Sequence, residues 1–272
     1  MRSPFFGGRE GLDLCLLLCY NERKKTEVFS MKVLFVGNSY TYYHEMPTAI
    51  FKSMAESLGE EISVTAITSG GYTLASFCKP SDPHGAQLAE ALCGTTRYDC
   101  VILQEQSLRP AFKNPSSFFD AVRDLTARIR RIGAEPILYA TWGRKTGCST
   151  LDTYRWTNES MTWKLAASYQ AIGEELKIRV AHVGLAFHDV YTNHPEIDLY
   201  REDFSHPSYA GSFLAAATLI ATIFCRTPAA YRGALTGESA AILTAAAQKA
   251  AKNEPSIPDS YRISSVGVTK EA

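Results

Sequence analysis

From residue 32 onward, short apolar runs alternate with longer stretches whose apolar positions recur every three to four residues. The runs at 32–37, 62–67, 100–103, 136–140 and 179–183 are rich in Val, Ile and Leu and too short for helices. Strands buried on both faces read this way. The stretches at 46–58, 85–93, 117–132 and 159–176 carry the helical period, and 208–224 and 238–252 continue the set. Strand and helix thus alternate, the pattern of βα units whose crossover helices cover a parallel sheet. The segment 208–224 is rich in small residues (Ala215, Ala216, Ala217, Ala221), which suits a helix packed closely on that sheet. Its Ser, Thr and Gly make it a poor membrane span.

A chain of 272 residues, 46% of them apolar, can bury one substantial core. The expected organisation is one domain over 31–252, an N-terminal extension over 1–30 and an irregular tail over 253–272. Residues 14–20 (Leu-Cys-Leu-Leu-Leu-Cys-Tyr) are too few to cross a bilayer. Glu10 and Asp13 precede them, Glu22 to Lys25 follow, and no small-x-small cleavage site appears, so any signal segment here is poorly formed. The competing reading starts the protein at Met31, directly before the first strand, and implies a cytoplasmic location. A true signal segment, or a lipid on Cys19, would imply secretion or anchoring instead.

Charge and cysteine content narrow the class further. Twenty-eight basic and twenty-eight acidic residues cancel, leaving no global field to steer nucleic acid to the surface. Seven cysteines without a C-x-x-C pair suit a reducing compartment and offer no zinc cluster. No metal or cofactor is expected.

The first strand runs into Gly37-Asn38-Ser39-Tyr40-Thr41. That places a serine just past the carboxyl end of a parallel strand, where open α/β sheets bind ligands. Alone, the motif equally suits a phosphate turn or a helix N-cap. Near the other end stands Asp203-Phe204-Ser205-His206-Pro207. An Asp three residues before a His can accept the Nδ1 proton, which frees Nε2 to take a proton from a serine hydroxyl. A helix cap explains this segment singly as well. Acyl transfer further requires donors aimed at a developing oxyanion. Strand two runs into Ser69-Gly70-Gly71-Tyr72-Thr73, whose glycines let an amide come close, and strand three into Gln104-Glu105-Gln106-Ser107, which offers side-chain amides. The coincidence of Ser, Gly, Gln and Asp/His at the ends of strands one, two, three and five, in chain order, is harder to explain blandly than any one of them.

This order resembles the SGNH (GDSL-like) hydrolase superfamily, whose blocks supply Ser, Gly, Asn and His. Gly37-Asn38-Ser39 looks like its Gly-Asp-Ser block, Gly71-Tyr72-Thr73 like its Gly-x-Thr block, and Asp203 to His206 like its Asp-x-x-His block. The third block departs: Gln106 stands where the family has Asn, with Gln104 the alternative donor. The resemblance spans about residues 33–224 and implies a three-layer α/β/α flavodoxin-like sandwich with a five-stranded parallel sheet in the order 2-1-3-4-5. It implies catalysis by Ser39, His206 and Asp203, and an oxyanion hole from the Ser39 and Gly71 amides and Gln106. The implied substrate is a small ester, a short acyl group on a carbohydrate being the leading case. A lipid esterase or thioesterase, and a non-catalytic carbohydrate-binding protein, are the alternatives on this fold.

Trp142, just past strand four, is expected to line the pocket or to be a core aromatic; Tyr72 and Asn38 are further candidates for touching substrate. Tyr154, Trp156 and Trp163 could form a sugar-stacking platform or pack helices. His182, His188, Asp189 and His194 follow no ligand spacing and read as solvated loop residues.

Overall fold

The computed structural model describes residues 30–252 and 255–266. The expectations about a signal segment, Cys19 and the end of the tail lie outside the described residues. Five parallel strands, β1 (Met31–Gly37), β2 (Ile62–Thr68), β3 (Cys100–Leu103), β4 (Glu135–Tyr139) and β5 (Arg179–Ala181), form one sheet in the order β2-β1-β3-β4-β5. The sandwich and strand order are those expected.

Period-two alternation in β1 explains the layers. Val33 and Phe35 enter one core and Leu34 and Val36 the other, all with no exposed surface. The helices are α1 (Ser39–Tyr42), α2 (Lys52–Ser57), α3 (Leu74–Phe77), α4 (Pro83–Cys93), α5 (Ser116–Arg131), α6 (Ser149–Tyr154), α7 (Asn158–Leu176), α8 (Val183–Asn193), α9 (Tyr209–Phe224) and α10 (Gly237–Lys252). On the Val33 face, Phe213, Leu214 and Ile220 of α9 pack with Phe187 of α8 and Leu243 of α10. On the other, Phe118, Val122 and Leu125 of α5 meet Leu88 of α4 and Tyr169 of α7. The small residues of α9 are buried, so this helix is an interior element. Among the described residues no helix is long and apolar enough to cross a membrane.

Two of the expected elements differ from the sequence reading. The expected helix at 46–58 begins as a π-turn over Met46–Phe51 before becoming α2, and Pro47 near its start lacks the N–H an inner α-turn would use. The fifth strand stops at Ala181, and the expected histidine-bearing loop is instead α8. Val183, Ala186, Phe187 and Val190 of α8 are buried on one face. The tail is anchored: Ile257 packs on Ala166 and Ala167, and the Ser265 hydroxyl donates to the Ala171 carbonyl at 3.0 Å.

Parallel order 2-1-3 means that the chain leaves β1 toward one side for β2 and then crosses past β1 to its other side for β3. The loops at the carboxyl ends of β1 and β3 therefore part there and leave a crevice. Ser39 follows β1 and Gln104 to Ser107 follow β3.

Candidate functional site

Asn38 determines where Ser39 sits. Its backbone N–H donates to Gln104 Oε1 at 2.8 Å, its Nδ2 donates to the Tyr72 carbonyl at 2.9 Å, and its Oδ1 caps α1 by accepting from Tyr40 N at 3.2 Å. One buried residue, through its backbone N–H and its side chain, thus ties together the loops after β1, β2 and β3. Gly37 makes that approach possible, since a Cβ there would lie 2.5 Å from Thr41 Oγ1 and 2.7 Å from Gln104 Oε1. Asn38 is 2% exposed, so it acts by positioning the turn rather than by offering its side chain to a ligand.

The segment carrying His206 is folded back on itself. Tyr200 bridges Pro207, and Arg201 N donates to the His206 carbonyl at 2.9 Å. Phe204, at the apex, takes a left-handed φ of 60° that a residue with a Cβ adopts only when its surroundings impose it. Here Phe204 N donates to Arg201 O, and Lys145 N donates to Phe204 O, both at 2.9 Å. The turn lets Asp203 Oδ1 accept from the amides of Ser205 (3.0 Å) and His206 (2.9 Å), while Oδ2 lies 2.5 Å from His206 Nδ1. His206 Nε2 lies 2.9 Å from Ser39 Oγ. With the ring proton on Nδ1 facing the carboxylate, Nε2 is the acceptor for the serine hydroxyl. Burial pushes the Asp203 carboxyl upward. The hydrogen bonds from the His206 ring and from the two amides outweigh it and hold the group below the usual carboxylate range.

Gly71 has φ of 73°, a left-handed conformation that selects glycine on backbone grounds, since a Cβ would meet nothing within 4 Å. Among the described residues, the amides of Ser39 and Gly71 have no intramolecular acceptor. The two glutamines differ. Gln104 is buried and saturated: Oε1 accepts from Asn38 N and Thr41 Oγ1, and Nε2 donates to the Glu105 carbonyl. Gln106 Oε1 accepts from Leu108 N (2.9 Å) and Arg109 N (3.3 Å), and its Nε2 has no acceptor among the described residues. Gln106 therefore keeps an anchored, uncommitted donor, and Gln104 does not.

Trp142 does not line an open pocket. It is fully buried, stacked between Tyr40 (4.5 Å, 8°) and Phe187 (4.0 Å, 2°), and its Nε1 donates to the Ser205 carbonyl at 3.1 Å. It is a core aromatic that holds the floor beneath Ser39 and the His206 loop together. Tyr72 is half-buried, with its hydroxyl on Asp82 Oδ2 (3.3 Å) and its ring edge-on to His84. Tyr154 and Trp156 stack at 4.8 Å and meet Phe112, whereas Trp163 lies apart from them, against His188. The remaining histidines are dispersed: His182 pairs with Gln170, His188 with Asn158, and His194 with Glu196.

Sequence reasoning missed several neighbours of His206. The rings of Tyr40 and Tyr43 pack against it at 5.5 and 4.7 Å. Tyr43 reaches it because His44 and Glu45, at φ of 55° and 50°, bend the chain sharply after α1. The Tyr40 hydroxyl meets Ser205 Oγ at 2.8 Å, tying the serine turn to the histidine loop. A strand-end serine followed by several aromatics was the available signal.

Glu105 is a further unforeseen feature. Its carboxyl has no exposed surface, and it accepts from Gln106 N (2.6 Å) and Leu74 N (3.2 Å). Burial raises its pKa from the ordinary 4.5 to about 7, against the lowering effect of those amides and of Arg109. The folded protein therefore holds a proton that the unfolded chain releases at lower pH. Stability from this group is complete below the ordinary carboxylate range and is lost as pH rises through about 7. At about 1.4 kcal/mol per unit, the loss amounts to about 3 kcal/mol. Glu105→Gln is expected to remove that slope, as denaturant unfolding at a series of pH values will show; parallel profiles for the two proteins would refute the assignment.

Searches with family profiles and of curated proteins return no match. Among solved structures, a candidate SGNH hydrolase from Slackia heliotrinireducens is 31% identical, with a TM-score of 0.60 over 69% of this chain and 96% of that one. A DUF4886 family protein from Bacteroides uniformis has a TM-score of 0.68 at 16% identity, covering 82% of this chain and 95% of its own. A member of the lipolytic G-D-S-L family from Veillonella parvula has a TM-score of 0.51 at 10% identity, covering 72% and 100%. The last two share the fold. The identity to the first, over nearly its whole length, goes further: this chain belongs to the SGNH (GDSL-like) hydrolase superfamily and is an SGNH-type serine hydrolase.

Proposed function

We propose that the chain is a serine esterase that removes a short acyl group, acetyl being the simplest, from a hydroxyl of a carbohydrate or similar small alcohol. The observation that carries this reading is the unbroken relay from Ser39 Oγ to His206 Nε2 (2.9 Å) and from His206 Nδ1 to Asp203 Oδ2 (2.5 Å). His206 takes the hydroxyl proton as Ser39 Oγ attacks the ester carbonyl, and the imidazolium is stabilised by the Asp203 carboxylate. The tetrahedral oxyanion is met by the free amides of Ser39 and Gly71 and by Gln106 Nε2. Collapse expels the alcohol, which takes its proton from His206. Water, deprotonated by the same imidazole, then hydrolyses the acyl-enzyme and restores Ser39.

Support for a small sugar-like alcohol comes from the aromatic cluster of Phe112, Tyr154 and Trp156, which stands on the segments that follow β3 and β4 in the chain, Tyr154 at the end of α6. Phe112 and Tyr154 are 36% and 41% exposed, leaving ring surface on which a sugar face can lie. The test is a series of p-nitrophenyl esters of rising chain length together with acetylated sugars. The expected kcat/KM is highest for acetyl and falls by about tenfold or more at octanoyl, since an acyl chain gains rate only where a groove buries it. A rate that climbs with chain length would replace this reading with a lipid esterase.

A further inference from the structure

Two arginines beside the relay hold no carboxylate of the described residues. Arg123, Arg128 and Arg179 are each paired with Glu or Asp within 3 Å, and Arg226 is paired with Glu60. Arg144 and Arg201 have no acidic partner among the described residues. Arg144 follows β4 and is half-buried. Its Nη2 donates to Ser107 Oγ at 2.9 Å, its guanidinium carbon stands 5.5 Å from the centre of the Tyr40 ring, and its Nε is buried without a partner. The Arg201 guanidinium, on the histidine loop, stands 5.0 Å from the centre of the Tyr43 ring. Tyr40 and Tyr43 are the two rings packed on His206. The two cations are thus each one ring away from the imidazole that faces Ser39.

The carboxylates nearby do not neutralise them. Asp203 is engaged by the His206 ring and two amides, and Glu105 is sealed beneath the Leu74 and Gln106 amides. Glu202 is exposed on the chain beside Arg201 and forms no ion pair among the described residues. The exposed Arg201 guanidinium has its edge N–H groups open to a carboxylate, which such an edge can meet with two parallel hydrogen bonds; Arg144, with Nη2 on Ser107 and Nε buried, contributes its charge. In a partly desolvated crevice such an interaction is stronger than at an open surface.

We infer that the site is built for an ester whose alcohol portion carries a negative charge, a carboxylate-bearing sugar in the simplest case, with Arg201 binding the anion and Arg144 adding its positive charge while Ser39 attacks the acyl carbonyl. This rests on the esterase reading above and adds the charge of the substrate to it. The reaction remains hydrolysis: water enters, the acyl group leaves as its acid, and the anionic alcohol is released unchanged in charge.

The test compares mono-acetylated methyl glucuronoside with mono-acetylated methyl glucoside, two rings that differ by the carboxylate, using the wild type, Arg144→Gln and Arg201→Gln. The wild type is expected to favour the charged ring by about tenfold or more in kcat/KM, mostly through KM, with the preference shrinking at high salt. Each variant is expected to cut that ratio by about fivefold or more. Arg201 is exposed, so its variant carries the test even where Arg144→Gln fails to fold. p-Nitrophenyl acetate serves as the uncharged control. If it is hydrolysed while the wild type shows no preference for the charged ring, or while Arg201→Gln keeps the full preference, the anion site is overturned and the esterase reading stands. If the wild type hydrolyses neither it nor the sugars, the esterase reading falls and the anion site with it.

Discussion

Ser39→Ala is expected to lower turnover of p-nitrophenyl acetate by about 10,000-fold while leaving the fold in place. Among the described residues the hydroxyl is the only group within hydrogen-bonding distance of His206 Nε2, so its removal leaves the base without a nucleophile to activate. Binding and any oxyanion donors survive the change, and their residual contribution sets the floor. Structurally the substitution deletes one hydrogen bond at a site that is 9% exposed, a loss of about 1 kcal/mol. Initial rates combined with a thermal melt separate the two effects. Retained activity in a folded Ser39→Ala protein would remove Ser39 from the mechanism.

Asp203→Asn should come close to that effect, about 1,000-fold in kcat, although the side chain changes by one atom in shape. Asp203 Oδ1 accepts from two amides, so an Asn carbonyl oxygen takes that position and the amide NH2 is turned toward His206 Nδ1. A donor facing Nδ1 favours the tautomer with its proton on Nε2, which cannot accept from the serine. The wild-type carboxylate avoids this down to acidic pH, because its hydrogen bonds hold it below the ordinary range. Activity should therefore not decline through protonation of Asp203 until the pH falls below that range. Steady-state rates over pH for both proteins check the two statements together. A rate for Asp203→Asn within about tenfold of wild type would show that the carboxylate does not set the tautomer.

How much of this was visible in the chain follows from how local each feature is. The alternation of Val33, Leu34, Phe35 and Val36 announces a two-faced strand, because a parallel strand between helical layers needs apolar residues at every position. The Asp203-x-x-His206 pair is a single turn, and its geometry is contained in four residues. Helix α8 was not read, although its signal is present in the chain. Val183, Ala186, Phe187 and Val190 have helical spacing, but the histidines between them drew the segment toward a loop reading. Trp142 could not be placed from its neighbours, since a buried and a pocket-lining tryptophan after a strand look alike until Phe187 and Tyr40 are seen on its two faces. Glu105 and the pair Arg144 and Arg201 depend on side chains brought together from strand ends far apart in the chain, which no local pattern records.

The same distinction applies to the glutamines. Both stand after β3 and both carry an amide, so the sequence leaves them equivalent. The difference arises from packing: Gln104 points back into the Asn38 turn, and Gln106 folds its oxygen over its own backbone.

The most direct test of the central claim is covalent labelling. The folded protein, treated with a fluorophosphonate and digested for mass spectrometry, is expected to carry one adduct per chain on Ser39, and Ser39→Ala is expected to carry none. The phosphonyl group reports an activated serine whatever the natural substrate is. An unlabelled wild type, or an adduct on another residue that persists in Ser39→Ala, would contradict the assignment of Ser39 as the nucleophile.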